Sequence, residues 1–229
     1  MTFKNSLLFV VVASVATVSA QQASRDYAAS PNPHIRLFAN ILRDSVWPNP
    51  RIFVCWENLT AAHEAPAGLV RSAVSNTWER ESRIRFIGWQ SCAAENAGVR
   101  IKIDDSGPHT KGLGRRLDRR RDGMVLNFDF KNWSQSCAST KEYCVMGVAV
   151  HEFGHALGFA HEQNRFDAPG ECQQLKQGTN GDLLLTPYDP RSVMNYCNPK
   201  YNNDAMLSTL DIAAVREIYG GPTDKPGAE

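Results

Sequence analysis

Apolar positions along this 229-residue chain fall into short alternating runs and a few stretches of helical spacing. Residues 51–56 read as a first strand, and Leu69, Val70, Ala73, Val74 and Trp78 predict an amphipathic helix over 65–78. Ile84, Phe86 and Trp89 partly alternate with Arg83 and Arg85 as a second strand. Val99, Ile101 and Ile103 alternate with Arg100 and Lys102 as a third, closed by turn residues from Asp104 to Pro108. A fourth is expected over 124–130 and a helix over 146–157, followed by a Gly/Pro/Asn-containing loop over 165–190. Ser208 caps a final helix through Leu210, Ile212, Ala213, Val215 and Ile218, ended by Gly220 and Gly221. This order, without internal repeats, predicts an α+β domain over 51–221 in two lobes. Its upper lobe carries the sheet and two long helices, and its mostly irregular lower lobe is closed by the final helix.

The ends read differently. Lys4, an apolar run over 7–18 and Val18-Ser19-Ala20 form the pattern of a signal peptide over 1–20. The run is shorter than the ~20 residues that span a bilayer, which disfavours a membrane anchor. Residues 21–50, broken by Pro31, Pro33, Pro48 and Pro50, read as a mobile or loosely docked N-terminal extension or short prosegment. Residues 222–229 read as a flexible tail. A secreted, extracellular chain places its cysteines in an oxidising compartment, so disulfides are the default. Proximity suggests Cys137 with Cys144 and Cys172 with Cys197, leaving Cys55 with Cys92, although sequence cannot choose among the pairings six cysteines allow. A cysteine-ligated metal site competes, but no short Cys-x-x-Cys spacing supports it. Asn58-Leu59-Thr60 and Asn132-Trp133-Ser134 are glycan acceptor sequons.

Chemistry concentrates in residues 151–162. On a helix, His151 and His155 stand one turn apart on one face, able to share a metal ion at about 2.0–2.1 Å. Gly158, lacking Cβ, lets the chain turn so that His161 returns as a third ligand and leaves a fourth position for water. Three histidines with an open position point to a catalytic zinc ion. Glu152 lies about 100° round the helix from His151, where it flanks the metal without binding it and serves as general base.

His-Glu-x-x-His-x-x-Gly-x-x-His is the metzincin motif, and its continuation from His161 to Asp167 resembles the astacin branch. Residues 192–196 resemble that family's Met-turn, and 207–220 resemble its C-terminal segment. The resemblance implies a twisted, mainly parallel sheet above the cleft, with Met194 beneath the zinc. Tyr196 would be a movable further ligand or a stabiliser of the oxyanion, and Glu162 would hold the trimmed mature N-terminus. It also implies that the strand over 124–130 borders the cleft and pairs with substrate, an ordinary interior strand being the alternative. The chain departs from the pattern in having Asn195 where astacins commonly have His and a shorter loop before it. It also has no counterpart of the Phe-x-Gly-Asp prosegment switch, which leaves a related metzincin branch open.

Charge adds little. The 25 basic and 24 acidic residues point neither to nucleic acid nor to an acidic membrane surface. The arginine-rich loop over 112–123 is read as a solvated loop in preference to a polyanion site, and His109 as a loop residue. The expected protein is a monomeric, secreted zinc endopeptidase acting on protein or peptide substrates. A secreted zinc-containing binding protein without turnover is the alternative, against which the intact Glu152 argues. A metal-free, disulfide-stabilised interaction protein is a third possibility.

Overall fold

The computed structural model describes residues 40–222, so the expected signal peptide and residues 21–39 and 223–229 lie outside the described residues. The elements run β1 (Arg51–Trp56), α1 (Glu64–Val74), β2 (Arg85–Ser91), β3 (Val99–Ile103), β4 (His109–Thr110) and β5 (Met124–Leu126). They continue with α2 (Gln135–Ser139), α3 (Lys141–Ala156), α4 (Gly170–Gln173) and α5 (Thr209–Tyr219). The predicted helix over 65–78 is α1 extended by one π-helical turn, Ser75–Glu79. Five strands form one sheet in the order β2-β1-β3-β5-β4, parallel throughout except for β4, which runs antiparallel to β5.

Aromatic residues join the sheet to α3. Phe86 of β2 meets Phe153 edge-on at 4.7 Å, and Trp89 stacks on Phe153 at 5.6 Å. Phe153 is fully buried, worth about 1.5–3 kcal/mol of apolar transfer. Trp78, in the π-helical turn, donates from Nε1 to the Val150 carbonyl at 2.8 Å, tying α1 to α3 through an otherwise costly buried polar group. The three disulfides are Cys55–Cys92, Cys137–Cys144 and Cys172–Cys197, the last two suggested by proximity and the first left by elimination. The last joins α4 to the residue after Tyr196.

Three expectations change. The strand over 124–130 stops at Leu126 because Asn127 draws the chain into a turn. Its Oδ1 accepts from the Asp129 and Phe130 amides at 2.9 and 2.7 Å, and Phe130 adopts φ +59°. The strand is interior and buried, so the sheet edge belongs to β4, where His109 is a strand residue. The segment 40–50 is built into the domain rather than loosely docked. Ile41 is fully buried and bridges to Phe159 and Leu183, while Trp47 Nε1 donates to the Ala156 carbonyl at 2.7 Å. Tyr219, at the end of α5, reaches the neighbouring Leu157 carbonyl at 2.7 Å. First and last described segments thus clamp the C-terminal end of α3.

Gly114 joins the same clamp. It has φ +52°, and a Cβ there would sit 1.9 Å from the Ser45 carbonyl oxygen. Gly114→Ala is therefore expected to cost more than about 2 kcal/mol through left-handed backbone strain and overlap. In a domain of this size that lowers Tm by roughly 4–8 °C, measurable by calorimetry. An unchanged Tm would mean that the clamp does not hold Gly114 in this geometry.

Candidate active site

α3 ends in a Schellman motif. Gly158 takes φ +100°, its amide donates to the His155 carbonyl at 3.0 Å, and the Phe159 amide donates to the Gly154 carbonyl at 3.1 Å. That reversal directs the Phe159 carbonyl at His155 and sends the chain back towards the helix face. The His161 turn is then fixed from two sides. Asn40 accepts from the Ala160 amide through its carbonyl and donates from Nδ2 to the His161 carbonyl, both at 2.7 Å. On the other side, the Glu162 amide donates to the Met194 carbonyl at 2.9 Å.

The three imidazoles share one orientation rule. His151 Nδ1 faces the Val193 carbonyl at 2.7 Å, His155 Nδ1 the Phe159 carbonyl at 2.7 Å, and His161 Nδ1 the Gln177 carbonyl at 3.0 Å. A carbonyl only accepts, so each Nδ1 carries the proton and each Nε2 presents a lone pair. The His161 Nε2 lies 3.2 Å from that of His151 and 3.1 Å from that of His155. Desolvation and the charge of His161 push His151 down to about 3, and the same causes hold His155 well below its ordinary value. Buried lone pairs facing one another with no proton between them repel unless a cation lies among them. Tetrahedral nitrogens about 2.0–2.1 Å from zinc stand roughly 3.4 Å apart, so the residues fit one zinc ion by donor type and spacing.

The turn supporting His151 is held by α5. Asp211 completes a capping box with Ser208 and also accepts from Ser192 Oγ at 2.7 Å and the Val193 amide at 2.9 Å. The Val193 carbonyl then faces outward to His151. Met194, 1% exposed, packs beneath α3 against Gly154.

Glu152 is buried, and its Oε2 is the single buried side-chain oxygen or nitrogen without a hydrogen-bond partner among the described residues. Desolvation pushes its carboxyl up to about 8. It lines both cavities of the cleft. The larger, of about 480 Å³, is walled by Trp133, Val148, Tyr196, Tyr201 and several amide side chains. The smaller, of about 290 Å³, runs along β4 and residues 111–113 to His155 and His161. Tyr196 borders both, its ring 5.3 Å from His151 and 4.5 Å from His161. Burial first, then the Glu152 carboxylate, raise its phenol pKa, keeping it a protonated donor at neutral pH.

Residues 131–173 match the family model described as Astacin, a peptidase family. The astacin-like metalloendopeptidase of Gallus gallus is 30% identical over 133 residues, covering 44% of this chain and 32% of that protein. The zinc metalloproteinase nas-36 of Caenorhabditis elegans is 36% identical over 94 residues, covering 35% of this chain and 15% of that protein. The chain thus spans a third or less of the length of these relatives. Myroilysin has a TM-score of 0.54 at 18% identity, covering 79% of this chain and 98% of that one. High choriolytic enzyme 1, a hatching enzyme zinc-protease of Oryzias latipes, has a TM-score of 0.50 at 18% identity, covering 78% and 96%. These two solved structures share its fold.

The segment that carries the three histidines is similar to the astacin peptidase family. Two positions singled out by the motif take local partners. Glu162 Oε1 accepts from the Asp189 amide at 3.0 Å and lies 3.4 Å from Arg165 Nε, with both side chains buried. Asn195 donates from Nδ2 to the Tyr188 hydroxyl and the Asp189 carbonyl, both at 2.9 Å, and accepts from the Cys197 amide. Both sequon asparagines lie at exposed positions; Asn132 is bonded to Asp105, and the Asn58 amide pairs in both directions with the Ile103 backbone. Sequence reading missed Asn40, the Gln177 carbonyl and the second task of Asp211. Only Asp211 left a signal, as the third residue after a capping Ser.

A Cβ at Gly154 would lie 2.3 Å from Met194 Sδ and 3.1 Å from Trp78. Gly154→Ala is expected to displace Met194, cost about 1–3 kcal/mol and weaken zinc retention. Melting curves and metal content after dialysis check this, and wild-type values for both would refute the packing argument.

Proposed function

We propose that this chain is a secreted zinc-dependent endopeptidase, with His151, His155 and His161 as ligands and Glu152 as general base. The observation carrying this reading is the unpartnered Glu152 Oε2, buried beside three convergent imidazoles at the junction of two cavities. An orphaned buried oxygen costs about 1–3 kcal/mol, and it is relieved when a donor enters the cleft. When bound, zinc polarises a carbonyl oxygen and lowers the pKa of a water. A dication held by the three imidazoles would favour the ionised form of Glu152, whose carboxylate takes the proton of the attacking water and returns it to the leaving amine. Tyr196, a protonated phenol stacked at the cluster, donates a hydrogen bond to the oxyanion as the carbonyl carbon becomes tetrahedral. Substrate backbone pairs along β4, the outermost strand, whose two residues both line the smaller cavity. Three disulfides suit the extracellular destination expected from residues 1–20.

Glu152→Gln keeps the side-chain shape and removes the base. It is expected to retain zinc and fold while losing ~10²–10⁴-fold in kcat on a cleavable peptide. Near-wild-type turnover in a zinc-loaded variant would remove Glu152 from the chemistry, and an intact wild-type chain that cleaves no peptide would favour a zinc-containing binding protein.

Tyr196→Phe removes a donor that acts mainly in the transition state. A fall in kcat of up to about 10²–10³-fold with little change in KM is expected, because zinc shares the same charge. A lowered Tm with unchanged kcat would instead make Tyr196 a support for the turn.

A further inference from the structure

The smaller cavity has two walls of different origin. Residues 108–113 supply β4 and the start of the loop after it, whereas Gln177, Gly178 and Thr179 come from the long loop of the lower lobe. The second wall is held as a rigid arch. Buried Asn164 donates to the Gln177 carbonyl at 2.8 Å and to Asn180 Oδ1 at 3.0 Å, and it accepts from the Gln177 amide at 3.1 Å. Gly178, at φ +71°, carries the backbone past His161, where an added Cβ would lie 3.6 Å from Nδ1.

The arch leaves polar groups uncommitted. Gly178 and Thr179 are exposed, and their backbone groups have no partner among the described residues. The Gln177 amide and carbonyl are taken by Asn164 and His161, so its side-chain amide is its one free hydrogen-bonding group. Pro108, Glu152, Gln177 and Tyr196 line both cavities. Glu152 and Tyr196 have tasks in the chemistry, and Pro108 offers no side-chain donor or acceptor. Gln177 is thus the polar side chain at this junction that the reaction has not yet used.

We infer that Gln177 is a substrate-binding residue, whose side-chain amide takes the edge of the substrate backbone that faces away from β4. The inference rests on the endopeptidase reading. In an extended chain successive residues turn their N–H and C=O groups to opposite edges, so pairing with β4 engages only alternate residues. The other edge carries donors and acceptors that lose water in the cleft and are costly if left unpaired. A primary amide offers a donor and an acceptor together, as a peptide group does, and can satisfy one such residue. Its place where the two cavities meet puts that contact beside the scissile bond. Because Gln177 holds His161 through its carbonyl, its side chain can be removed while that bond to the zinc ligand stays.

The test pairs Q177A with peptides in which an ester replaces one peptide group at a time, removing a single N–H away from the scissile bond. On the all-amide peptide Q177A is expected to raise KM about five-fold, the effect of one neutral hydrogen bond, with kcat, zinc content and Tm at wild-type values. In the wild-type chain esters should raise KM at consecutive positions near the scissile bond, and one of those penalties should vanish in Q177A. An unchanged KM in Q177A, penalties only at alternate positions, or a Q177A loss that adds to every ester penalty overturns the proposal. So does a loss of zinc in Q177A, which would make the residue a support for His161. If the wild-type chain cleaves no peptide, the endopeptidase reading fails, and fluorescence anisotropy of the labelled all-amide peptide on the zinc-loaded chain tests the contact separately. Binding about five-fold weaker in Q177A upholds it. Equal binding by both chains, or no binding, overturns it.

Discussion

Three backbone carbonyls decide the chemistry of this domain. By accepting from Nδ1 of His151, His155 and His161, the carbonyls of Val193, Phe159 and Gln177 fix each ring's tautomer and turn three lone pairs towards one point. Each carbonyl comes from a different part of the chain. Phe159 is supplied by the helix-ending turn, Val193 by a turn held from α5, and Gln177 by the long loop. The rest of the domain is needed largely to bring those groups to one place. Asp211 orders Val193, Asn164 binds the Gln177 carbonyl at 2.8 Å and its amide at 3.1 Å, and Asn40 braces the His161 turn.

What could be read in the sequence was what local periodicity and conformation determine. The four-residue spacing of His151 and His155 and the glycine that permits φ +100° at residue 158 depend only on neighbouring residues. The capped final helix was legible for the same reason, whereas the disulfide pairing, with bridges spanning up to 37 residues, could only be suggested by proximity. The carbonyl partners were not, because every residue has a carbonyl and only tertiary packing selects one. Asn40 lies 121 residues from His161, in a segment whose prolines suggested looseness. The end of β5 was misplaced because alternation continues through Asn127, whose side chain nevertheless competes for the backbone donors that would have extended the strand, and the two-residue edge strand β4 is too short to show a pattern.

The lower lobe contains few regular elements, yet its polar groups form one connected path. Glu162 accepts from the Asp189 amide, Ser208 donates to the Asp189 carboxylate, and Asp211 joins Ser208 to Val193 and hence to His151. Networks of this kind are stabilising when every member is satisfied and costly when one is lost. Opposite them, residues 201–205 build part of the cavity wall from left-handed backbone, with φ of 43–59° at residues 202–205. Lys200 and Tyr143 hold that turn through Asp204 at 2.7 and 2.9 Å. Such conformations cost about 1–2 kcal/mol per residue, so the wall keeps its shape against its own backbone preference.

The central claim is that three neutral imidazoles meet at a single zinc ion. X-ray absorption at the zinc edge, on protein purified without added metal and dialysed, tests it most directly. The account predicts one zinc per chain with three imidazole nitrogens at about 2.0–2.1 Å and oxygen completing the shell. Less than stoichiometric zinc, or a shell dominated by sulfur or by carboxylate oxygen, would contradict it.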